Sequence, residues 1–153
     1  MELTTRGRAG VCSMRIEETV ARYQHAADEF SRGNPGPVKD LLSRGDDVTL
    51  ANPFGPAVRG WSAVSDALGF ASSRFSEGTV TAFERMAMYA TTDLATMLEI
   101  KHWTAKVGER DEATSFVLRV TSTFRREGDD WKLVHRHADP IATPDAEGPL
   151  RRQ

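Results

Sequence analysis

The chain has a single cysteine, Cys12, among 153 residues. That excludes an internal disulfide and any zinc site built from several cysteines, and a reducing cytoplasm is the expected compartment. No apolar run approaches the length of a membrane span, so no membrane partner is expected. Charge of one sign is also missing: 20 Lys and Arg stand against 22 Asp and Glu, interspersed along the chain. A one-sided basic field of the kind nucleic acids require is therefore absent, and no nucleic-acid partner is expected. Neither a GxGxxG fingerprint nor a GKS/T phosphate loop occurs, so no cofactor is expected. The opening stretch MELTTRGRAGVCS lacks the apolar segment of a secretory signal.

What is present suits one domain of ordinary composition, 39% hydrophobic and 27% charged. Residues 1–13 have no periodicity and are expected to be a flexible tail, with the domain spanning 14–140 from Met14 onward. Residues 141–153, rich in Pro, Gly and charge, are expected to be a second flexible tail. Ile16, Val20, Tyr23, Ala27 and Phe30 recur in steps of four and three, the period of a helix with one buried face. RGNPGP breaks that helix, with Asn34 as the expected N-cap of a short second helix through Val38, Leu41 and Leu42. VTLAN reads as a short strand, NPFGPAVRG as a loop, and a third helix runs from about Trp61 to Ala71. Residues 79–90, 93–106, 113–126 and 130–138 are then four segments rich in Thr, Val, Phe and Met, separated by tight-turn signals. Helices followed by a meander predict an α+β fold: three N-terminal helices on one face of a strongly curved, mainly antiparallel sheet.

Side chains on a strand alternate between faces, so turn positions decide which residues meet. A turn centred near Glu109 would set Glu99 opposite Arg119 and Met97 opposite Thr121. A turn centred near Gly128 would set Arg119 opposite His137 and Thr121 opposite His135. Met97, Glu99, Arg119, Thr121, His135 and His137 would then share one face, with Leu98, Ile100, Leu118, Val120, Phe124 and Val134 on the other. If the helices cap the polar face, they enclose a pocket with a few polar groups among Tyr23, Phe54, Trp61 and Met97, as small-molecule sites have. The apolar face would need its own cover, and a homodimer through the sheet is the expected solution.

The end of the last strand, WKLVHRHADP, admits three readings. A His-x-His pair can bind zinc or iron, but the nearest further ligands, Glu99 and His102, lie on opposite faces of a regular strand, so no metal is assigned. The histidines can fix the sheet end through Glu99, Asp139 or backbone. They can also act as acid and base at neutral pH.

The helix VARYQHAADEFSRGN, the strand and loop VTLANPFGPAVRGWSAVSDAL and the terminal block LRVTSTFRREGDDWKLVHRHADP resemble the SnoaL-like, ketosteroid-isomerase-like group of the NTF2-like superfamily across residues 15–140. The resemblance implies a conical pocket between a bent sheet and three helices, dimerisation through the sheet and a small hydrophobic ligand. Ketosteroid isomerases use an aspartate base beside a Pro-Phe-Gly loop, with a tyrosine and a protonated aspartic acid as oxyanion hole. Tyr23 matches the tyrosine, but the base position is Asn52, and the late-strand acid falls at Val120 or Thr121. An amide cannot take a proton from carbon, so steroid isomerisation by that mechanism is not expected.

Two functions remain open. One is a cofactor-independent isomerase, cyclase or hydratase acting on a carbonyl-containing molecule. His137 or His135 would be its acid or base, Tyr23 and Asn52 would hold a developing enolate, and Arg119 paired with Glu99 would orient the ligand among Thr121, Met97, Phe54 and Trp61. The other is a non-catalytic small-ligand or interaction module, in which the polar groups satisfy one another.

Overall fold

A computed structural model describes residues 5–140, with side chains from residue 15 onward. Residues 1–4 and the expected C-terminal tail, 141–153, lie outside the described residues. Three helices, α1 (Thr5–Ser31), α2 (Gly36–Leu41) and α3 (Trp61–Ser73), accompany six strands: β1 (Thr49–Ala51), β2 (Val58–Arg59), β3 (Phe75–Ala90), β4 (Leu94–Val107), β5 (Ala113–Glu127) and β6 (Asp130–Asp139). This is the expected α+β layout. The helix α1 begins at Thr5, however, and runs back past Met14, where the ordered domain was expected to start.

The apolar stripe of α1 behaves as its period predicts, since Ile16, Val20, Tyr23, Ala27 and Phe30 are all buried. The helix stops at Gly33, whose φ of 89° places it in the left-handed region that closes helix C-termini. The N-cap of α2 is Pro35 rather than Asn34. Asn34 instead turns its Oδ1 to accept the Gly36 N–H at 3.2 Å. In α3, Val64, Leu68 and Ala71 are buried.

The sheet order is β2-β1-β6-β5-β4-β3. All pairs are antiparallel except β1 with β6, a parallel junction that brings the Asn52 loop beside the end of β6. Register breaks interrupt β3 between Ser76 and Thr79, Val80 and Ala82, and Arg85 and Ala87. Each such bulge bends the strand, so the sheet curls around the helices. The last residue of α1 seats against the first break, where a Cβ on Gly78 would lie 2.5 Å from the Ser31 carbonyl oxygen. Asp28 fixes the same junction by accepting the Val80 N–H at 2.8 Å.

The strand registers differ from those expected, and the difference decides what faces the helices. Lys106 pairs with Ala113, so the β4–β5 hairpin is centred between Glu109 and Arg110 rather than on Glu109. Glu99 therefore faces Val120, Met97 faces Ser122, and Arg119 faces Ile100. In the next hairpin Arg119 faces Asp139 and Thr121 faces His137, and a bulge skips Val134 between Thr123–His135 and Phe124–Leu133. Arg119, Thr121, His135 and His137 do share a face, but it is the outer one, with Leu98 and Ile100. Met97 and Glu99 lie on the inner face with Leu118, Val120 and Phe124. The continuous apolar face expected on the far side is thus split between the two sides of the sheet.

Candidate ligand cavity

The inner face of β4 reads Ala95, Met97, Glu99, Lys101, Trp103, Ala105, and every one of these residues is buried. Glu99 and Lys101 are 0% and 1% exposed, which only mutual compensation makes tolerable. The Lys101 Nζ lies 3.5 Å from Glu99 Oε2, and Gln24 Nε2 donates to Glu99 Oε1 at 3.0 Å. At 3.5 Å the Oε2 contact is an ion pair without a formed hydrogen bond, and that oxygen has no other partner. The ammonium also lies over the Tyr23 ring, 4.1 Å from its centroid, and 5.5 Å from that of Phe83.

Above this pair stands Tyr23. Its hydroxyl oxygen accepts from Arg136 Nε at 2.8 Å and from Ser122 Oγ at 3.2 Å. Burial opposes ionisation of the phenol, but Lys101, Arg136 and the Ser122 hydrogen bond outweigh it, so its pKa lies below the ordinary tyrosine value. Arg136 also donates through Nη1 to Asn52 Oδ1. The half-buried Arg136 guanidinium forms no ion pair among the described residues and keeps donors unspent.

A cavity of about 650 Å³ opens on this group. Asn52, Phe54, Phe75, Trp103, Phe116 and Arg136 are among its walls, and Arg74, Glu109 and Arg110 stand in its lining near the β4–β5 turn. A recess of about 20 Å³ lined by Tyr23, Lys101, Trp103 and Arg136 adjoins it. Trp103 is 3% exposed and its Nε1 is a buried donor without a partner.

Of the residues singled out in the sequence, the structure brings Tyr23, Asn52 and Phe54 to the cavity or its recess. Met97 is fully buried in the core beneath it, and Glu99 is sealed off by Gln24 and Lys101. Trp61 is half-buried on α3 with the Arg44 guanidinium 3.6 Å above its ring, away from the cavity lining. The expected Glu99–Arg119 pair does not form. Arg119 projects from the outer face, where its Nε donates to Asp139 Oδ1 at 2.6 Å. Thr121 shares that face. His135 contacts the Thr49 hydroxyl through Nδ1 at 2.8 Å, and burial, reinforced by the neighbouring His137, lowers its pKa. His137 Nε2 lies 3.8 Å from Asp139 Oδ2. Among the described residues no three His, Cys, Asp or Glu side chains gather as metal ligands.

Lys101, Ser122, Arg136 and Gln24 escaped the sequence reading. Opposite charges at alternate positions of an apolar strand, Glu99 and Lys101, were a usable signal for an inner pair. Arg136 was masked by the Val134 bulge and by the two histidines on either side of it.

A family model described as the SnoaL-like domain matches residues 16–143. No curated protein sequence matches the chain. Among solved structures, an NTF2-like superfamily protein from Salmonella enterica serovar Typhimurium superposes with a TM-score of 0.74 at 19% identity, covering 92% of this chain and 98% of its own. A candidate dehydratase of the NTF2-like family from Streptomyces avermitilis gives 0.70 at 16% identity, covering 88% and 99%. A ketosteroid isomerase-like protein from Erwinia carotovora atroseptica gives 0.69 at 17% identity, covering 85% and 96%. At these identities the likeness is one of fold.

Proposed function

Because the chain belongs to the SnoaL-like domain family, we propose that its cavity binds a small, largely apolar molecule and holds a carbonyl or carboxylate oxygen of that molecule on Arg136. One observation carries this reading: a guanidinium at the inner end of an aromatic-walled cavity, oriented by Tyr23 and Asn52, with no carboxylate of its own. Such a group is pre-aimed at an oxygen acceptor, and the apolar walls strengthen the contact by excluding water. Glu99 plays no part in it, since its charge is already matched by Lys101 and Gln24. His135 and His137 project from the other side of the sheet, and the reading does not depend on them.

A second reading, isomerase, cyclase or hydratase chemistry on the bound carbonyl, is favoured by Tyr23. A phenol whose pKa is lowered donates its proton more readily, and Arg136 would stabilise the negative charge that develops on the carbonyl oxygen. The candidate dehydratase from Streptomyces avermitilis is in keeping with chemistry of that kind on this fold.

The test compares 2-naphthoate with 2-ethylnaphthalene by calorimetric or fluorescence titration. A charge-assisted hydrogen bond contributes roughly 1.5–3 kcal/mol, so the carboxylate should bind about 10- to 100-fold more tightly, and Arg136→Met should abolish the difference. Equal affinities in the native protein, or a preference that survives Arg136→Met, would refute the assignment.

A further inference from the structure

Three aromatic rings in the cavity wall pack on one another. Phe75 and Trp103 have centroids 6.2 Å apart and planes 24° apart; Phe75 and Phe116, 5.6 Å and 14°; Trp103 and Phe116, 5.9 Å and 15°. In a column of three parallel rings, the outer two would be about twice as far apart as either neighbouring pair. Three nearly equal separations instead set the ring centres at the corners of a triangle, with the nearly parallel planes slipped past one another. Trp103 is 3% and Phe75 8% exposed, so the rings spend most of their area on one another and give the cavity an apolar wall.

The charges of the lining are divided along the same cavity. Arg136 stands at one pole with Asn52, where β1 meets β6. Arg74 and Arg110 stand at the other, where the end of α3 meets the β4–β5 turn. That second pole is latched: the Gly108 N–H donates to the Arg74 carbonyl at 2.7 Å. Gly108 has a φ of 63°, and a Cβ there would sit 2.7 Å from Arg74 Nη2, so the missing side chain is what lets the guanidinium lie across the turn. Neither Arg74 nor Arg110 makes an ion pair among the described residues. With Glu109 as the one carboxylate of the lining, three arginines leave it at +2, in a chain whose formal net charge is −2. The neighbouring acids Asp111 and Glu112 stand outside the lining. A sphere of the cavity's volume is about 11 Å across, wide enough for a two-ring molecule to lie between the poles.

We infer that the ligand carries, besides the carbonyl or carboxylate oxygen on Arg136, a second, anionic group held by Arg74 and Arg110 at the other pole of the cavity. The inference rests on the Arg136 assignment and adds to it a second charge on the ligand.

The experiment measures 2-naphthoate and 2,6-naphthalenedicarboxylate by isothermal titration against the full chain, the Arg74→Gln/Arg110→Gln variant and Arg136→Met. The dicarboxylate should bind the native chain at least about tenfold more tightly than the monocarboxylate, and added salt should shrink that gain. The gain should vanish in Arg74→Gln/Arg110→Gln while 2-naphthoate affinity stays within about twofold, since both substituted positions are exposed and outside the core. In Arg136→Met both ligands should weaken. A native chain that binds 2-naphthoate but prefers neither ligand overturns the second pole and leaves the Arg136 assignment standing. So does a gain that persists in Arg74→Gln/Arg110→Gln. Failure of both ligands to bind overturns both.

Discussion

Replacing Glu99 with glutamine strands the Lys101 ammonium 1% exposed, with no counter-charge at its side. Removing one partner of a buried ion pair costs about 3–5 kcal/mol, because the remaining charge stays desolvated. Two features hold the cost near the lower end. The amide can still accept from Gln24, and the stacking of Lys101 over Tyr23 at 4.1 Å keeps about 1–2 kcal/mol of compensation. A loss of about 3 kcal/mol is a large part of the roughly 5–15 kcal/mol by which a domain is stable, and it lowers Tm by about 9 °C for a chain of this size. Lys101→Met should cost a similar amount by stranding the carboxylate. The double variant Glu99→Gln/Lys101→Met carries no buried charge and should return to within about 1 kcal/mol of the native chain. The assay is urea unfolding of all four proteins, followed by far-ultraviolet circular dichroism and tryptophan fluorescence and evaluated as a double-mutant cycle. If the losses in the two single variants simply add in the double, the two groups are not coupled. The account of the cavity floor as one compensated pair would then be wrong.

Tyr23→Phe leaves Arg136 Nε and Ser122 Oγ without their acceptor and should cost about 1–3 kcal/mol at neutral pH. Because the folded phenol ionises below the unfolded value of 10.0, its contribution to stability grows as pH rises from the folded pKa towards 10.0; denaturant midpoints measured across that range should lose this slope in the phenylalanine variant. His135 has the same sign at lower pH: burial holds its folded pKa below 6.5, so its contribution is complete above pH 6.5 and is lost as pH falls through the folded pKa. A plot of Tm against pH on the acid side should therefore flatten in His135→Gln. Gly108→Ala imposes a left-handed conformation on alanine at a cost of about 1–2 kcal/mol and pushes Arg74 aside. The dicarboxylate gain should shrink in titrations while 2-naphthoate affinity holds.

The overall fold was legible because its signals are local and redundant. The stripe from Ile16 to Phe30 has a single solution, a helix with its face in the core, and turn residues separate the four long strands wherever the chain reverses. The inner surface of the sheet was not legible, because its content depends on parity. Residues 97–100, Met-Leu-Glu-Ile, put Leu98 and Ile100 on one face of β4 and Met97 with a glutamate on the other, so the hydrophobic pattern points the wrong face inward. A hairpin centre displaced by half a residue, from Glu109 to the bond after it, then moved Arg119 and Thr121 from the cavity side to the outside. The Val134 bulge brought Arg136 inward on the strand whose histidines had drawn attention. Tyr23 and Asn52 reach the recess and the cavity without depending on strand register: one lies on a helix face and the other on a loop of Pro and Gly. Trp103, Phe75 and Phe116 come together from two strands and the start of a third. Only tertiary structure unites them.

The three breaks in β3 do more than curve the sheet. β3 is an edge strand of sixteen residues, and Met86 and Tyr89 stand exposed along it. A straight edge of that length and character would offer an unbroken ladder of backbone groups to a strand from another molecule, a template for aggregation. The breaks leave no long uninterrupted stretch, and Asp28 already occupies the Val80 N–H. The opposite edge, β2, is two residues long and gives an incoming strand almost nothing to pair with. The irregularities that wrap the sheet around its cavity thus also guard the protein against polymerising through its own edges.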